Sequence, residues 1–208
     1  MPLEMKEWTD RLFGGPAICS VERLQEIKEF CGPDSATLLR IAEVFENSPA
    51  MLAPYPEESI NQAFWDLGDV AFRALADDAI DWSLRERVVN SFVTLFREYF
   101  AVRCQPVLGH LDEEGTPLNS ACYMWWDFNC WLDSDSTPTS VLLPPIRSVL
   151  TIDHVACQES ALHGLGHLRG RRQSLEVEGI IDDFLQHERN LRAELREYAN
   201  QARAGRVL

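Results

Sequence analysis

The sequence predicts an all-α protein, and two observations support this fold class. Apolar residues recur at the spacing of one helical face in most of the chain, most clearly at residues 21–31, 38–45, 88–99 and 177–185. No segment alternates between apolar and polar residues with the period of two that marks a half-buried strand. We therefore expect eight or nine helices and no sheet.

Helix starts and breaks place these elements in order along the chain. Start signals of the capping type lie at Ser59, Ser83, Thr116 and Asp153. Breaks rich in glycine, proline and short polar residues lie at residues 14–16, 32–33, 54–56, 112–117, 134–138 and 169–173. Two consecutive prolines, at residues 144 and 145, should kink or restart the helix that contains them.

An eight-residue pattern occurs three times, at residues 63–70, 121–128 and 161–168. Each copy is followed by a linker and by a second apolar helix, near residues 84–100, 141–151 and 175–191. The copies start 58 and 40 residues apart. A helix pair that recurs after about 40 residues has the period of HEAT or armadillo units, with the first interval lengthened here by a loop. The third copy, ESALHGLGHL, resembles the A-L-x-x-L-G-x-L pattern of the first helix in HEAT-like repeats, and the resemblance covers roughly residues 60–190.

This resemblance implies a short α-solenoid. Residues 56–208 would form about three HEAT-like helix pairs, and residues 1–55 would form N-terminal helices of the same single domain. Only the copies that start at residues 63 and 161 keep the Leu-Gly step, because the middle copy has Trp125 and Trp126 there. An irregular helical bundle is therefore the alternative architecture.

The repeated pattern also predicts a recognition surface. Ala63, Leu67 and Val70, with their equivalents in the other copies, share one helical face and should be core. Residues two positions further lie about 200° round each helix and should point away from that core. Stacked copies would bring these residues together as a face where aromatic and charged side chains bind a protein partner. The residues assigned to this face are Trp65, Asp69, Tyr123, Asp127, Trp131, His163 and His167.

Two alternatives to this surface stay open. The aromatic side chains of Trp65, Tyr123 and Trp131 could instead pack under loops or against neighbouring helices. The HEAT-like resemblance also implies that the second helix of each pair lines the concave groove, which would put the predicted face on the convex side.

Glu159, His163 and His167 follow one another at intervals of four residues, so a helix would place all three on one ridge. Two histidines at this spacing are a known ligand geometry for zinc. A metal-dependent enzyme built on this ridge is therefore the alternative function. A further ligand would have to come from His154, Asp127 or His187, whose positions the sequence does not fix, and we expect a solvated polar face without metal.

Charge and composition narrow the function further. The net charge is −14, which opposes binding to nucleic acid and favours a basic protein partner. Six cysteines show no metal-ligand or disulfide-scaffold spacing and are interpreted as small buried residues. No secretory signal and no apolar run of roughly 18 residues is present, so we expect a cytoplasmic chain that does not cross a membrane.

Together these observations predict a non-catalytic protein-binding module without a cofactor. An inhibitor, an adaptor or a toxin-neutralising immunity protein would fit, since an acidic surface accelerates capture of a basic target. Sequence signatures of serine hydrolases, P-loop enzymes, dinucleotide-binding folds and cysteine proteases are missing.

Overall fold

The computed structural model describes residues 3–128, 139–172, 174–188 and 190–207. All regular elements within these residues are helical, which confirms the predicted all-α class. The described residues contain twelve α-helices, more than the eight or nine expected, and two of them have only five and three residues. The helices are α1 (Met5–Phe13), α2 (Val21–Lys28), α3 (Ser35–Glu46), α4 (Ser48–Leu52), α5 (Glu57–Val70), α6 (Trp82–Leu95), α7 (Ala101–Arg103), α8 (Leu118–Tyr123), α9 (Thr139–Leu150), α10 (Val155–Arg172), α11 (Leu175–His187) and α12 (Ala193–Arg203).

Local sequence explains where several helices begin. Ser20 and Asp34 accept hydrogen bonds from the backbone N–H groups three residues later and so cap α2 and α3. The start of α6 differs from the prediction, because the carboxylate of Asp81, and not the hydroxyl of Ser83, caps the helix. The two prolines of α9 lie inside one helix rather than restarting it.

The three copies of the repeated pattern lie side by side, because α8 packs between α5 and α10. Trp65 Nε1 in α5 lies 3.3 Å from Ser120 Oγ in α8, and Ser160 Oγ in α10 donates to the carbonyl of Cys122 at 2.5 Å. Behind these helices, α6 packs against α3 and α9, and α9 packs against α10 and α11. The last helix, α12, covers α10 and α11.

The core is rich in aromatic rings, and Trp125 lies at its centre. Its ring centroid is 5.3 Å from those of Phe64 and Phe92, and 5.6 Å from those of Phe45 and Phe100. The predicted core positions of the repeats are confirmed as buried: Ala63, Leu67, Val70, Ala121, Trp125, Phe128, Ala161, Leu165 and Leu168. No helix of the described residues is long and apolar enough to cross a membrane.

Four of the five cysteines in the described residues are buried, as predicted, whereas Cys19 is exposed. Cys130 lies outside the described residues.

Candidate metal centre

The residues of the predicted recognition surface differ in exposure between the first and the third copy of the repeated pattern. In the first copy Trp65 is half-buried and Asp69 is exposed. In the third copy the prediction of an outward face is wrong, because Glu159 and His163 are buried. The reason is α12, which packs over this side of α10 and was not part of the repeat pattern.

The aromatic residues of the surface are largely packed. The Trp65 ring lies 4.4 Å from that of Phe128, and the Tyr123 ring lies 4.7 Å from that of His163. This arrangement follows the alternative interpretation, in which these rings contact neighbouring helices. Trp131 lies outside the described residues.

Asp127, His163 and His167 converge on one point. Asp127 Oδ2 lies 3.0 Å from His163 Nε2, and Asp127 Oδ1 lies 2.8 Å from His167 Nε2. The two Nε2 atoms lie 3.0 Å from each other. Their exposure increases outward, since the side chains of His163, His167 and Asp127 are 0%, 18% and 29% exposed. One edge of this three-residue cluster, here called the Asp–His–His cluster, therefore faces solvent.

Two elements position the cluster. His163 and His167 are four residues apart in α10, so they lie one above the other on the same face. Asp127 follows α8 in a turn, where its backbone N–H donates to the carbonyl of Met124 at 2.9 Å. Because α8 and α10 are neighbours, this turn places the Asp127 carboxylate next to the imidazoles of His163 and His167.

If both histidines are neutral, hydrogen bonds cannot account for all three contacts, which are Asp127 with His163, Asp127 with His167, and His163 with His167. Each neutral imidazole has one N–H, and an Nε2–H that donates to Asp127 is not available for the other histidine. If both histidines donate to Asp127, the two Nε2–H groups oppose each other at 3.0 Å. A shared cation removes this conflict, because the two Nε2 atoms and the Asp127 carboxylate can then each offer a lone pair to the same ion.

The carboxyl of Asp127 is held in its ionised form. Its burial would raise the pKa, but the hydrogen bonds from His163 and His167 outweigh burial and hold the pKa of Asp127 well below its usual range. The ligand that carries the negative charge is therefore deprotonated at neutral pH.

A second layer of polar residues supports His163. Tyr198 Oη, from α12, lies 2.6 Å from His163 Nδ1 and 3.2 Å from Tyr123 Oη. The ring of Tyr198 is stacked on that of His110 at 4.3 Å. Burial raises the pKa of both tyrosines, so both hydroxyls keep their protons at neutral pH.

The predicted ridge of Glu159, His163 and His167 is not assembled as a ligand set. The Glu159 carboxylate instead accepts hydrogen bonds from the backbone N–H groups of Gly109 and His110, at 2.7 and 3.0 Å. Its Oε1 also lies 2.5 Å from His110 Nδ1. Asp127, which the sequence analysis considered as a further ligand, contacts the two histidines instead of Glu159.

The other candidate ligands lie elsewhere. His154 Nε2 contacts the carbonyl of Cys104 at 3.1 Å, and His187 Nδ1 contacts the carbonyl of Asp183 within α11. His154 also interacts with the thiol of Cys157, and hydrogen bonds from Cys122 and His154 lower the pKa of that thiol to about 6. This buried thiol group is separate from the Asp–His–His cluster.

Comparison of the chain with protein-family models, with curated proteins and with solved structures finds no match. A function for this chain therefore has to be argued from its own geometry.

Proposed function

We propose that the chain is a metal-dependent enzyme whose Asp127, His163 and His167 bind one divalent transition-metal ion. The observation that carries the proposal is the convergence of the two Nε2 atoms, 3.0 Å apart, on the Asp127 carboxylate, whose Oδ2 and Oδ1 lie 3.0 and 2.8 Å from His163 and His167. Atoms bound at about 2.1 Å to one metal and at right angles to each other would lie about 3.0 Å apart. The separation of the two Nε2 atoms thus fits two adjacent positions of an octahedral ion, and an oxygen of Asp127 would take a third.

The ligand types support a transition metal rather than calcium or magnesium. Two imidazoles and one carboxylate suit zinc, iron, manganese, cobalt or nickel, and this set is known as a facial triad in iron enzymes. Calcium and magnesium prefer oxygen ligands alone. We therefore propose an ion of the first group at this centre.

Three protein ligands leave coordination positions for water and substrate, which is typical of catalytic rather than structural metal sites. The exposed edge at Asp127 and His167 gives solvent a route to these positions. A water bound there would lose a proton more easily and could attack a carbonyl or phosphoryl group. Hydrolysis is the reaction class that this arrangement supports best.

Metal binding is tested with untagged protein that has been treated with a chelator and dialysed. Titration with Zn²⁺ and with Co²⁺, followed by calorimetry and by visible absorption of Co²⁺, should show one ion per chain. His163→Ala, His167→Ala and Asp127→Asn should each lose more than the about 10- to 100-fold in affinity that a second-shell change costs.

Matched substitutions control for general effects of these changes. His187→Ala removes an exposed histidine of α11, and Asp69→Asn removes an exposed carboxylate of α5. Both variants should bind the ion as the unmodified chain does. Equal binding by all five variants, or no binding by the unmodified chain, would refute the proposed centre.

A second proposal keeps the function predicted from sequence, a protein-binding module built from HEAT-like helix pairs that acts on a basic partner. It is supported by the net charge of −14, by the side-by-side packing of α5, α8 and α10, and by the exposed carboxylate of Asp69 beside half-buried Trp65. An affinity pull-down read by mass spectrometry should recover a basic protein. Recovery that is unchanged by Trp65→Ala and Asp69→Asn would count against this face.

A further inference from the structure

The hydroxyl groups of Tyr198 and Tyr123 form a row of polar atoms that begins at the buried side of the Asp–His–His cluster. His163 Nδ1, Tyr198 Oη and Tyr123 Oη form a continuous row, with separations of 2.6 and 3.2 Å. Tyr123 is also part of the wall of a cleft of about 410 Å³, which Asn119, Glu113 and Gly109 line as well. The row therefore runs from a proposed metal ligand to a residue that also lines a cleft.

Without a metal, the direction of these hydrogen bonds follows from His163. Its Nε2 faces the Asp127 carboxylate, which only accepts, so the single imidazole proton belongs on Nε2. Nδ1 must then accept, and the donor is the hydroxyl of Tyr198. Because that proton is used, Tyr198 Oη accepts from the hydroxyl of Tyr123.

A metal on Nε2 reverses both bonds. The imidazole proton then belongs on Nδ1, which donates to Tyr198 Oη. The Tyr198 hydroxyl proton becomes free to donate to Tyr123 Oη, and the Tyr123 proton no longer donates to Tyr198. His163 is fully buried, so within the described residues Tyr198 is the partner that its Nδ1–H meets.

We infer that Tyr198 is a positioning residue that fixes the tautomer of His163 and transmits metal binding to the hydroxyl of Tyr123. This inference rests on the proposed metal centre. It adds a consequence that the centre alone does not have: the direction in which the Tyr123 hydroxyl donates its hydrogen bond depends on whether the metal is bound.

The affinity for Zn²⁺ tests the positioning role. Tyr198→Phe leaves the Nδ1–H of metal-bound His163 without its acceptor, and we expect Zn²⁺ affinity to fall about 10- to 100-fold. Tyr55→Phe is the matched control, because Tyr55 also makes hydroxyl hydrogen bonds, to Thr9 and Asp10, but belongs to another part of the structure. Its Zn²⁺ affinity should stay unchanged.

Nuclear magnetic resonance tests the transmission in the unmodified chain, which has only four tyrosines and five histidines. With [¹³Cζ]tyrosine, Zn²⁺ should shift the resonances of Tyr198 and Tyr123 and leave those of Tyr55 and Tyr99 in place. Ring ¹⁵N spectra should show the His163 proton on Nε2 without zinc and on Nδ1 with it. In Tyr198→Phe the Tyr123 resonance should no longer respond.

The outcomes separate this inference from the proposed function. If the unmodified chain does not bind Zn²⁺, the metal centre itself fails and the inference fails with it. If it binds Zn²⁺ but Tyr198→Phe binds equally well, or the Tyr123 resonance does not move, the centre stands and the inference is wrong. A His163 proton that stays on Nε2 in the zinc-bound protein would also overturn it.

Discussion

Two polar groups of this molecule, the buried pair of Arg23 with Asp66 and the Asp–His–His cluster, differ in how completely their donors and acceptors are paired. Arg23 and Asp66 are almost completely buried, with Nε and Oδ2 at 2.6 Å. Asp66 Oδ1 accepts from Gln62 Nε2, and Arg23 also donates to the carbonyl of Leu12, so each charge has several partners. The Asp–His–His cluster lacks such a solution without a cation.

This difference indicates different roles. A buried ion pair whose donors and acceptors match is complete without a ligand, and it joins α1, α2 and α5. A cluster whose three lone pairs meet, and whose outer edge reaches solvent, is complete only with an added cation. The comparison therefore assigns a structural role to the first group and a ligand-binding role to the second.

The largest expected effect concerns the structural pair. Asp66→Ala leaves the Arg23 guanidinium buried without its carboxylate, and we expect the free energy of unfolding to fall by about 3 to 5 kcal/mol. Urea melts measure this loss. In the double variant Arg23→Met with Asp66→Leu the loss should be much smaller, and a loss as large as that of the single variant would contradict the assigned role.

A smaller effect, of opposite sign, is expected at the Asp–His–His cluster. Zn²⁺ at 100 times its dissociation constant should raise the free energy of unfolding by about 2.7 kcal/mol, because the ion binds only the folded chain. Thermal melts with and without Zn²⁺ measure the gain. It should vanish in His167→Ala and persist in His187→Ala, so a gain in both variants would place the ion elsewhere.

Acid should weaken the metal-free protein through Asp127. The folded protein holds the pKa of this carboxyl below its usual range, so the unfolded chain takes up the proton first as the pH falls. The stability that the carboxylate contributes is therefore present above about pH 4, near its unfolded pKa, and is lost below that pH. Urea melts between pH 6 and 3 measure how the free energy of unfolding changes with pH. This free energy should fall less steeply in Asp127→Asn than in the unmodified chain. Equal slopes would argue against this ionised carboxylate.

The smallest effect is expected on the exposed part of the predicted recognition surface. Asp69 lies on the surface of α5, and Asp69→Asn should change the free energy of unfolding by less than about 0.5 kcal/mol. Chemical denaturation is the measurement. A loss above 1 kcal/mol would show that this carboxylate has a structural role like that of Asp66.

Local patterns in the sequence were enough to predict the helical class and the core positions of the repeats. Burial of Ala63, Leu67 and Ala161 follows from helical spacing, because each of these residues lies on the apolar face of its helix. The adjacent packing of α5, α8 and α10 agrees with the repeated pattern. These features depend on residues that are close to one another in the chain.

The composition of the candidate site could be predicted only in part, because its members come from distant elements. Spacing identified His163 and His167 as a ligand pair, but the third ligand depends on α8 ending at Tyr123 and on the turn that follows. Glu159 was misassigned because the N–H groups of Gly109 and His110, about 50 residues away, bind its carboxylate. No sequence pattern marked Tyr198 as a residue of this site, because its contact with His163 depends on how α12 packs on α10.

The most direct test of the metal centre is a crystal structure of the chain soaked with Zn²⁺, with diffraction data collected on both sides of the zinc absorption edge. We predict one anomalous peak, about 2.1 Å from Nε2 of His163, from Nε2 of His167 and from a carboxylate oxygen of Asp127. An absent peak at this cluster, or a peak beside other side chains only, would contradict the account.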